Sequence, residues 1–255
     1  MQTVTAERRD RTLIVTIERP ERRNAVDGAT ARQLYDAFKA FDADEGLDVA
    51  ILQGRAGAFC AGADLKGISE GGGNPVLPEG DFGPMGCTRL RLGKPVIAAV
   101  EGHAVAGGLE IACWADLRVA AEGATFGVFC RRFGVPLIDL GTVRLPRLIG
   151  ASRAMDLILT GRPVSAQEAY DIGLANRLAP KGGALDVALE LAAQLSAFPQ
   201  LCLRNDRLSA LDQWSLDWDQ AQASEVAYGM ETLRSGVSRD GAARFAAGEG
   251  RGGKF

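Results

Sequence analysis

Glu110 stands three residues beyond Gly107 in VEGHAVAGGLEIACWAD (100–116), where a strand passes through glycines into a helix. That spacing puts its carboxylate on the face of the first helical turn, beside backbone N–H groups that have no acceptor within the helix. Gly107 and Gly108 carry no side chain to cover those donors, which lie at the positive end of the helix. A carboxylate there would stand beside those free donors, which makes Glu110 a residue that could do chemistry. Packing offers an alternative, since paired glycines let a helix approach a strand closely and a first-turn glutamate suits the dipole. Two further segments have unusual backbone geometry. AFCAGADL (58–65) follows a strand and its turn, and a tight turn capped by Asp64 accounts for it equally well. TFGVFCRRFGVPLIDLGTVRLPRLIG (125–150) reads as a loop rich in glycine and proline that leads into a helix.

Other chemistries are nearly closed off. His103 is the only histidine, so a multi-histidine metal site is impossible, and any Ser-His-Asp or Cys-His triad would have to use that residue. The five cysteines (Cys60, Cys87, Cys113, Cys130, Cys202) form no CxxC pair and are odd in number, as expected of reduced, mostly buried thiols. No Walker loop and no GxGxxG after a strand is present.

The elements that must carry these residues alternate in type. The first fifty residues read as strand, strand, helix, strand. Thr12–Ile17 is a β-branched run, and the turn-like ERPERRNAV follows it. Over 27–43 the apolar residues Ala31, Leu34, Phe38 and Phe41 recur at helical spacing, with Asp27 or Thr30 near the cap. Residues 49–53 form a short buried strand. The pattern then repeats: a strand over 95–100, a helix over 107–116, a strand at Leu117–Ala121, and a loop leading to a helix at Ala151–Thr160. Such alternation, with turns marked by Gly or Pro, predicts an α/β protein and not a sandwich. Residues 64–88 are rich in Gly, Pro, Ser and acids without apolar periodicity, as in a functional cover or a disordered segment. From about Gly183 the chain reads as helical. Apolar and aromatic residues on several faces of these helices imply packing against something beyond their own chain. The terminal GEGRGGKF is expected to be mobile.

With 255 residues, 47% of them hydrophobic and 24% charged, the chain is long enough for one moderate domain or a domain with a small appendage. A formal charge of −3 offers no basic stripe for nucleic acid. The N-terminus lacks the roughly 7–15-residue apolar stretch of a signal peptide. The longest apolar region, 95–119, is broken by Glu101, His103, Glu110 and Asp116, so no membrane span is expected. The expected location is the cytoplasm.

Taken together and in order, RPERRNAV (19–26), AFCAGADL (58–65), PVIAAVEGHAVAGGLEIACWADLRVA (95–120), ATFGVFCRRFGVP (124–136) and GRPVSAQEAYDIGLANRL (161–178) resemble the crotonase (enoyl-CoA hydratase/isomerase) superfamily. The resemblance implies an α/β fold: a crotonase-like spiral of ββα units over 1–195, then an α-helical C-terminal region over 196–255 that assembles trimers, often paired into hexamers. It implies an acyl-CoA thioester as ligand, with coenzyme A part of the substrate, no separate cofactor and no metal. By position, the amides of Ala63 and Gly107 would hold the thioester oxygen, with Ala61, Asp64, Leu65, Gly108 and Cys130 against the substrate. The nucleotide moiety would lie near Arg22, Arg23 and Ala25, although both arginines also suit a solvated surface.

In the hydratases two glutamates flank the substrate. Glu110 falls on the first position, but Cys130 occupies the second, which is a departure. A thiol there reads as a small buried apolar residue. The nearest replacement acid is Asp139, in a loop where some relatives place a catalytic carboxylate; otherwise it is a turn or cap residue ahead of Gly141. His103 is assigned to local packing and hydrogen bonding. Arg131 and Arg132 would bring positive charge near the site or to an intersubunit surface. The implied activity is hydration of a 2-enoyl-CoA. The alternatives are double-bond isomerisation or another crotonase reaction using a single glutamate, and acyl-CoA binding without catalysis. A retained Glu110 argues against the last, because a buried carboxylate is costly without a use. RNA binding, found in a relative of the family, lacks a basic stripe here.

Overall fold

In the computed structural model, which describes residues 2–250, the chain divides into two compact units, up to Leu195 and from Ser196 onward. Residues 251–255, part of the segment expected to be mobile, lie outside the described residues.

The first unit alternates strands and helices. β1 (Val4–Arg9) and β2 (Thr12–Ile17) are followed by α1 (Gly28–Ala43), β3 (Val49–Gly54), the short α2 (Leu65–Ser69), β4 (Val96–Val100) and β5 (His103–Val105). Then come α3 (Gly107–Trp114), β6 (Leu117–Ala121), β7 (Thr125–Gly127), α4 (Gly141–Ile149), α5 (Ala151–Thr160), β8 (Val164–Ser165), α6 (Ala166–Asp171), β9 (Arg177–Ala179) and α7 (Ala184–Ala197). One sheet runs in the order β1-β2-β3-β4-β6-β9, antiparallel only between β1 and β2, and a smaller sheet joins β5, β7 and β8.

The large sheet is apolar on both faces. Ala50, Leu52, Val96, Ala98 and Val100 join one core with Leu34 and Phe38 of α1 and Ile111 of α3. Their neighbours Val49, Ile51, Ile97, Ala99 and Val119 join the other, against Ala184, Ala188 and Leu191 of α7. A parallel strand covered on both sides reads as an unbroken apolar run, which is why VAILQ and PVIAAV were legible as strands. Asp27 is the cap of α1, and its carboxylate accepts from the Thr30 N–H at 2.8 Å and the Thr30 hydroxyl at 2.7 Å.

Where the structure departs from expectation, the elements are short or interrupted. β5, β7, β8 and β9 span two or three residues each, too few for a periodic signal. α4 lies in a stretch expected to be loop, because Pro146 inside it cannot donate to the preceding turn. After α2 the 64–88 segment is pinned by Asn74, whose side-chain amide donates to the carbonyls of Val26 (3.1 Å) and Pro84 (2.7 Å), and Asn74, Val76, Pro84 and Met85 line a cavity.

The second unit holds α8 (Gln200–Asp212), α9 (Trp218–Arg234) and α10 (Val237–Ala246). Asp217 and Gln220 form a reciprocal capping box at the start of α9. Buried Asn205 of α8 donates to the Tyr228 carbonyl of α9 at 3.1 Å. Trp218, Val226, Leu233 and Phe245 are all exposed, Trp218 by 83%. Among the described residues no helix is long and apolar enough to cross a membrane.

Candidate active site

The amide side of the site is built from backbone. Beyond β3 the chain enters 58–64, held in place by Asn24, which is fully buried. The Asn24 Nδ2 donates to the carbonyls of Arg55 (2.9 Å) and Ala58 (2.6 Å), and its Oδ1 accepts from the Arg19 N–H at 3.0 Å. The Ala61 N–H donates to Arg23, the Val26 N–H to Gly62 and the Asp64 N–H to Val26, at 2.8–3.1 Å. This alternating pairing passes over the Ala63 N–H. Gly107 opens α3, so its own N–H has no acceptor in the helix. Among the described residues, neither amide donates a hydrogen bond.

The two turns that carry these amides touch. Gly62 has φ 97°, and a Cβ there would come within 3.0 Å of the Gly107 nitrogen, so only glycine fits. Ala106, at the threshold of α3, adopts φ 54° and ψ −125°. A non-glycine residue held in so sparse a region costs roughly 1–3 kcal/mol and persists only where its surroundings enforce it. Ala63 and Gly107 line one cavity of about 160 Å³, together with Glu110 and Asp139.

The carboxylate side is built from side chains that meet across the fold. Glu110, 3% exposed, lies one turn along α3. Its Oε1 accepts from the N–H groups of Asp139 (2.9 Å) and Gly141 (2.8 Å). Leu140 between them is left-handed (φ 67°, ψ 19°), and this small nest lets both donors converge on one oxygen. Asp139 is equally buried, and its Oδ1 accepts from the Met85 N–H at 3.0 Å and from the Thr88 hydroxyl. Burial, and then the charge of Asp139, push the Glu110 carboxyl up to about 7, against the two amides and Arg144, which favour its ionised form. Burial likewise raises Asp139. A carboxyl that titrates near neutrality can both accept and return a proton.

The residues singled out in the sequence fall on both sides of the cavity wall. Ala61, Ala63, Leu65, Gly107, Glu110, Cys130 and Asp139 line it; Arg22, Arg23, Ala25, Asp64 and Gly108 do not. Asp64 caps α2, accepting from the Gly67 N–H at 3.1 Å, and pairs with Arg19 at 2.9 Å. The Ala25 carbonyl accepts from Arg19 Nη1 at 2.5 Å. Gly108 packs so closely on the Cys60 carbonyl that a Cβ would collide with it. Cys130 is 5% exposed, and burial followed by the charge of Glu110 pushes its thiol up, so it meets the cavity uncharged. The side chain of His103 is exposed and outside the lining, while its backbone pairs with Thr125 and accepts from the Cys60 N–H at 2.8 Å. Arg131 and Arg132 brace the turn Phe129–Phe133, donating to the carbonyls of Ile158 (3.2 Å) and Gly161 (2.7 Å) near the end of α5.

Sequence reasoning missed Arg19, Thr88 and Arg144. Arg144 donates to the carbonyls of Asp139 (3.1 Å) and Thr88 (2.7 Å). No local spacing connects Thr88 to Asp139, so the sequence carries no signal for that contact. Among the described residues, no group of three or more His, Cys, Asp or Glu is placed to hold a metal ion.

Comparison with known proteins gives this geometry its context. The sequence profile of the enoyl-CoA hydratase/isomerase family matches residues 7–246. The chain is 38% identical over 244 residues to enoyl-CoA hydratase EchA19 of Mycobacterium tuberculosis, covering 94% of this chain and 92% of that one. It is 40% identical over 188 residues to a carnitinyl-CoA dehydratase of Salmonella agona, covering 72% and 70%. The crystal structure of enoyl-CoA hydratase EchA1 from Mycobacterium marinum superposes with a TM-score of 0.90 at 40% identity, over 96% of both chains. A match of this extent in sequence and fold shows that the chain belongs to the enoyl-CoA hydratase/isomerase family of the crotonase superfamily.

Proposed function

We propose that this protein adds water across the C2=C3 double bond of a 2-enoyl-CoA. The observation that carries the reading is the meeting, in one cavity, of two amides without hydrogen-bond partners and a carboxyl held near neutrality. The Ala63 and Gly107 amides would receive the thioester oxygen and stabilise the enolate that forms when C3 is attacked. Ionised Glu110 takes a proton from water as its oxygen bonds to C3. The protonated Glu110 then returns that proton to C2; were Asp139 the donor, it would start protonated, and Glu110 would lose its proton to solvent while Asp139 regains one. Neither step requires a cofactor beyond the coenzyme A of the substrate. The names of the relatives, hydratase and dehydratase, describe the two directions of this reaction type.

Away from the two carboxylates the wall is formed by Leu65, Ile68, Val76, Phe133, Val135 and Ile138, which suits an aliphatic acyl chain. A place in fatty-acid metabolism, and in the cytoplasm, goes with that reading. The exposed Trp218, Leu233 and Phe245 of the helical unit support assembly as a trimer or hexamer.

Isomerisation of the double bond is the second reading. It is favoured by Cys130, whose uncharged thiol supplies no second base, and by the engagement of Asp139 Oδ1 with Thr88 and Met85. A single carboxylate that carries one proton between carbons suffices for it. The test is loss of the enoyl-thioester absorbance of crotonyl-CoA, with Glu110→Gln as control and with 3-enoyl-CoA and carnitinyl-CoA alongside. Hydration that disappears in the variant supports the proposal. Turnover of 3-enoyl-CoA alone moves the assignment to an isomerase. Binding of the thioesters with no turnover of any would leave a binding protein.

A further inference from the structure

We propose that Arg144 is the positioning residue of the carboxylate pair, a role that rests on the reading of Glu110 as the proton-transfer group. Arg144 is half-buried on α4, three residues past Gly141, and takes no part in the cavity lining. Among the described residues, no carboxylate lies within ion-pair distance of it. Its guanidinium spans two backbone carbonyls from distant segments, those of Asp139 (3.1 Å) and Thr88 (2.7 Å). The Thr88 hydroxyl in turn donates to Asp139 Oδ1, and the Asp139 N–H to Glu110 Oε1 at 2.9 Å. Arg144 thus clamps the loop 139–141 against the turn Cys87–Arg89 and fixes where two amides meet the Glu110 carboxylate.

A planar guanidinium suits this task because it presents several donors in a rigid fork and keeps its charge when partly buried. That charge matters to the pair as a whole. Glu110 faces Asp139, Arg144, Cys130 and Cys113; Asp139 also faces Arg89 and Cys87. Burial pushes all three thiols up, so they are uncharged. Arg89 donates from a more exposed position to the Leu77 carbonyl at 2.6 Å. Arg144 is therefore the cation that both carboxyls share, favouring an ionised form that burial would otherwise suppress.

The test compares Arg144→Met with Arg144→Lys through two readouts. One is carboxyl 13C-NMR titration of Glu110 without substrate, assigned with Glu110→Gln. The other is kcat and KM on an enoyl-CoA that the wild type turns over. In Arg144→Met the Glu110 midpoint should move to higher pH, with kcat down by about tenfold or more and KM little changed, the mark of lost positioning. Arg144→Lys should restore the midpoint but not kcat, because an ammonium keeps the charge without bridging two carbonyls. An unmoved midpoint in folded Arg144→Met, or full kcat in Arg144→Lys, would overturn the proposal. Should Arg144→Met not fold, kcat of Arg144→Lys decides alone. If the wild type turns over no enoyl-CoA, the functional reading fails, and the titration still decides the role of Arg144.

Discussion

The two halves of the cavity are made in opposite ways. The amide half, Ala63 and Gly107, offers backbone groups, shaped by a glycine with positive φ, a strained Ala106 and a helix start and braced by Asn24 and Val26 from the preceding loop. The carboxylate half, Glu110 and Asp139, is held by contacts from afar, with Thr88 reaching Asp139 across 51 residues and Gly141 reaching Glu110 across 31. The first half has little freedom to vary in shape, because a side chain added at Gly62 or Gly108 meets backbone. The second half is tunable, because its chemistry depends on side-chain charges and on the Thr88 hydroxyl, which can be exchanged one at a time. On this account the amides bind and stabilise, while the carboxyls turn over.

The largest effect should follow from Glu110→Gln. The glutamine carbonyl can still accept from Asp139 and Gly141, so the fold and thioester affinity should persist while kcat falls about 10³-fold. Comparable loss of affinity would break the division between the halves. The same residue links activity to stability. The Glu110 carboxyl is raised from its ordinary value of 4.5 to about 7, so folding favours its protonated form. Its stabilising contribution is present below about 4.5 and is lost as pH rises through about 7, a change of about 3 kcal/mol at most. Denaturant unfolding should show this decline in the wild type and a flatter profile in Glu110→Gln.

Gly62→Ala probes the other half. Pressing a methyl group on Gly107 should cost on the order of 10²-fold in kcat, as removal of one oxyanion donor does, with weaker thioester binding. Asp139→Asn should cost less, about tenfold, below the roughly 10²-fold minimum usual for a general acid or base, because Asp139 acts mainly through its charge on Glu110. It should also move the low-pH limb of the kcat/KM profile to lower pH, because the negative charge that raises Glu110 is gone. A shift in the opposite direction would contradict the coupling of the two carboxyls. Smallest of all, Cys130→Ala should leave turnover close to wild type if the uncharged thiol only fills the wall.

The same contrast explains what the sequence disclosed. Gly107, Gly108 and Glu110 lie within one helical turn, so their joint geometry follows from spacing alone. The buried strands of the large sheet were equally plain, being apolar on both faces. α4 was hidden by Pro146, and the small second sheet by strands too short to show a period. Asp139 was identified as a candidate through family resemblance, but neither its partner Thr88 nor the bridging Arg144 was foreseen. Asp64, grouped with the substrate contacts in the sequence, serves as a helix cap paired with Arg19. Contacts between residues far apart in the chain depend on the completed fold, and nothing in their local sequence marks them.

The most direct test of the central claim is the carbonyl stretching frequency of a bound acyl-CoA thioester, measured by vibrational difference spectroscopy. If the Ala63 and Gly107 amides hold the thioester oxygen, the frequency should fall on binding to the wild type and to Glu110→Gln alike, and return toward the solution value in Gly62→Ala. A thioester that binds the wild type with its carbonyl frequency unchanged would contradict the account.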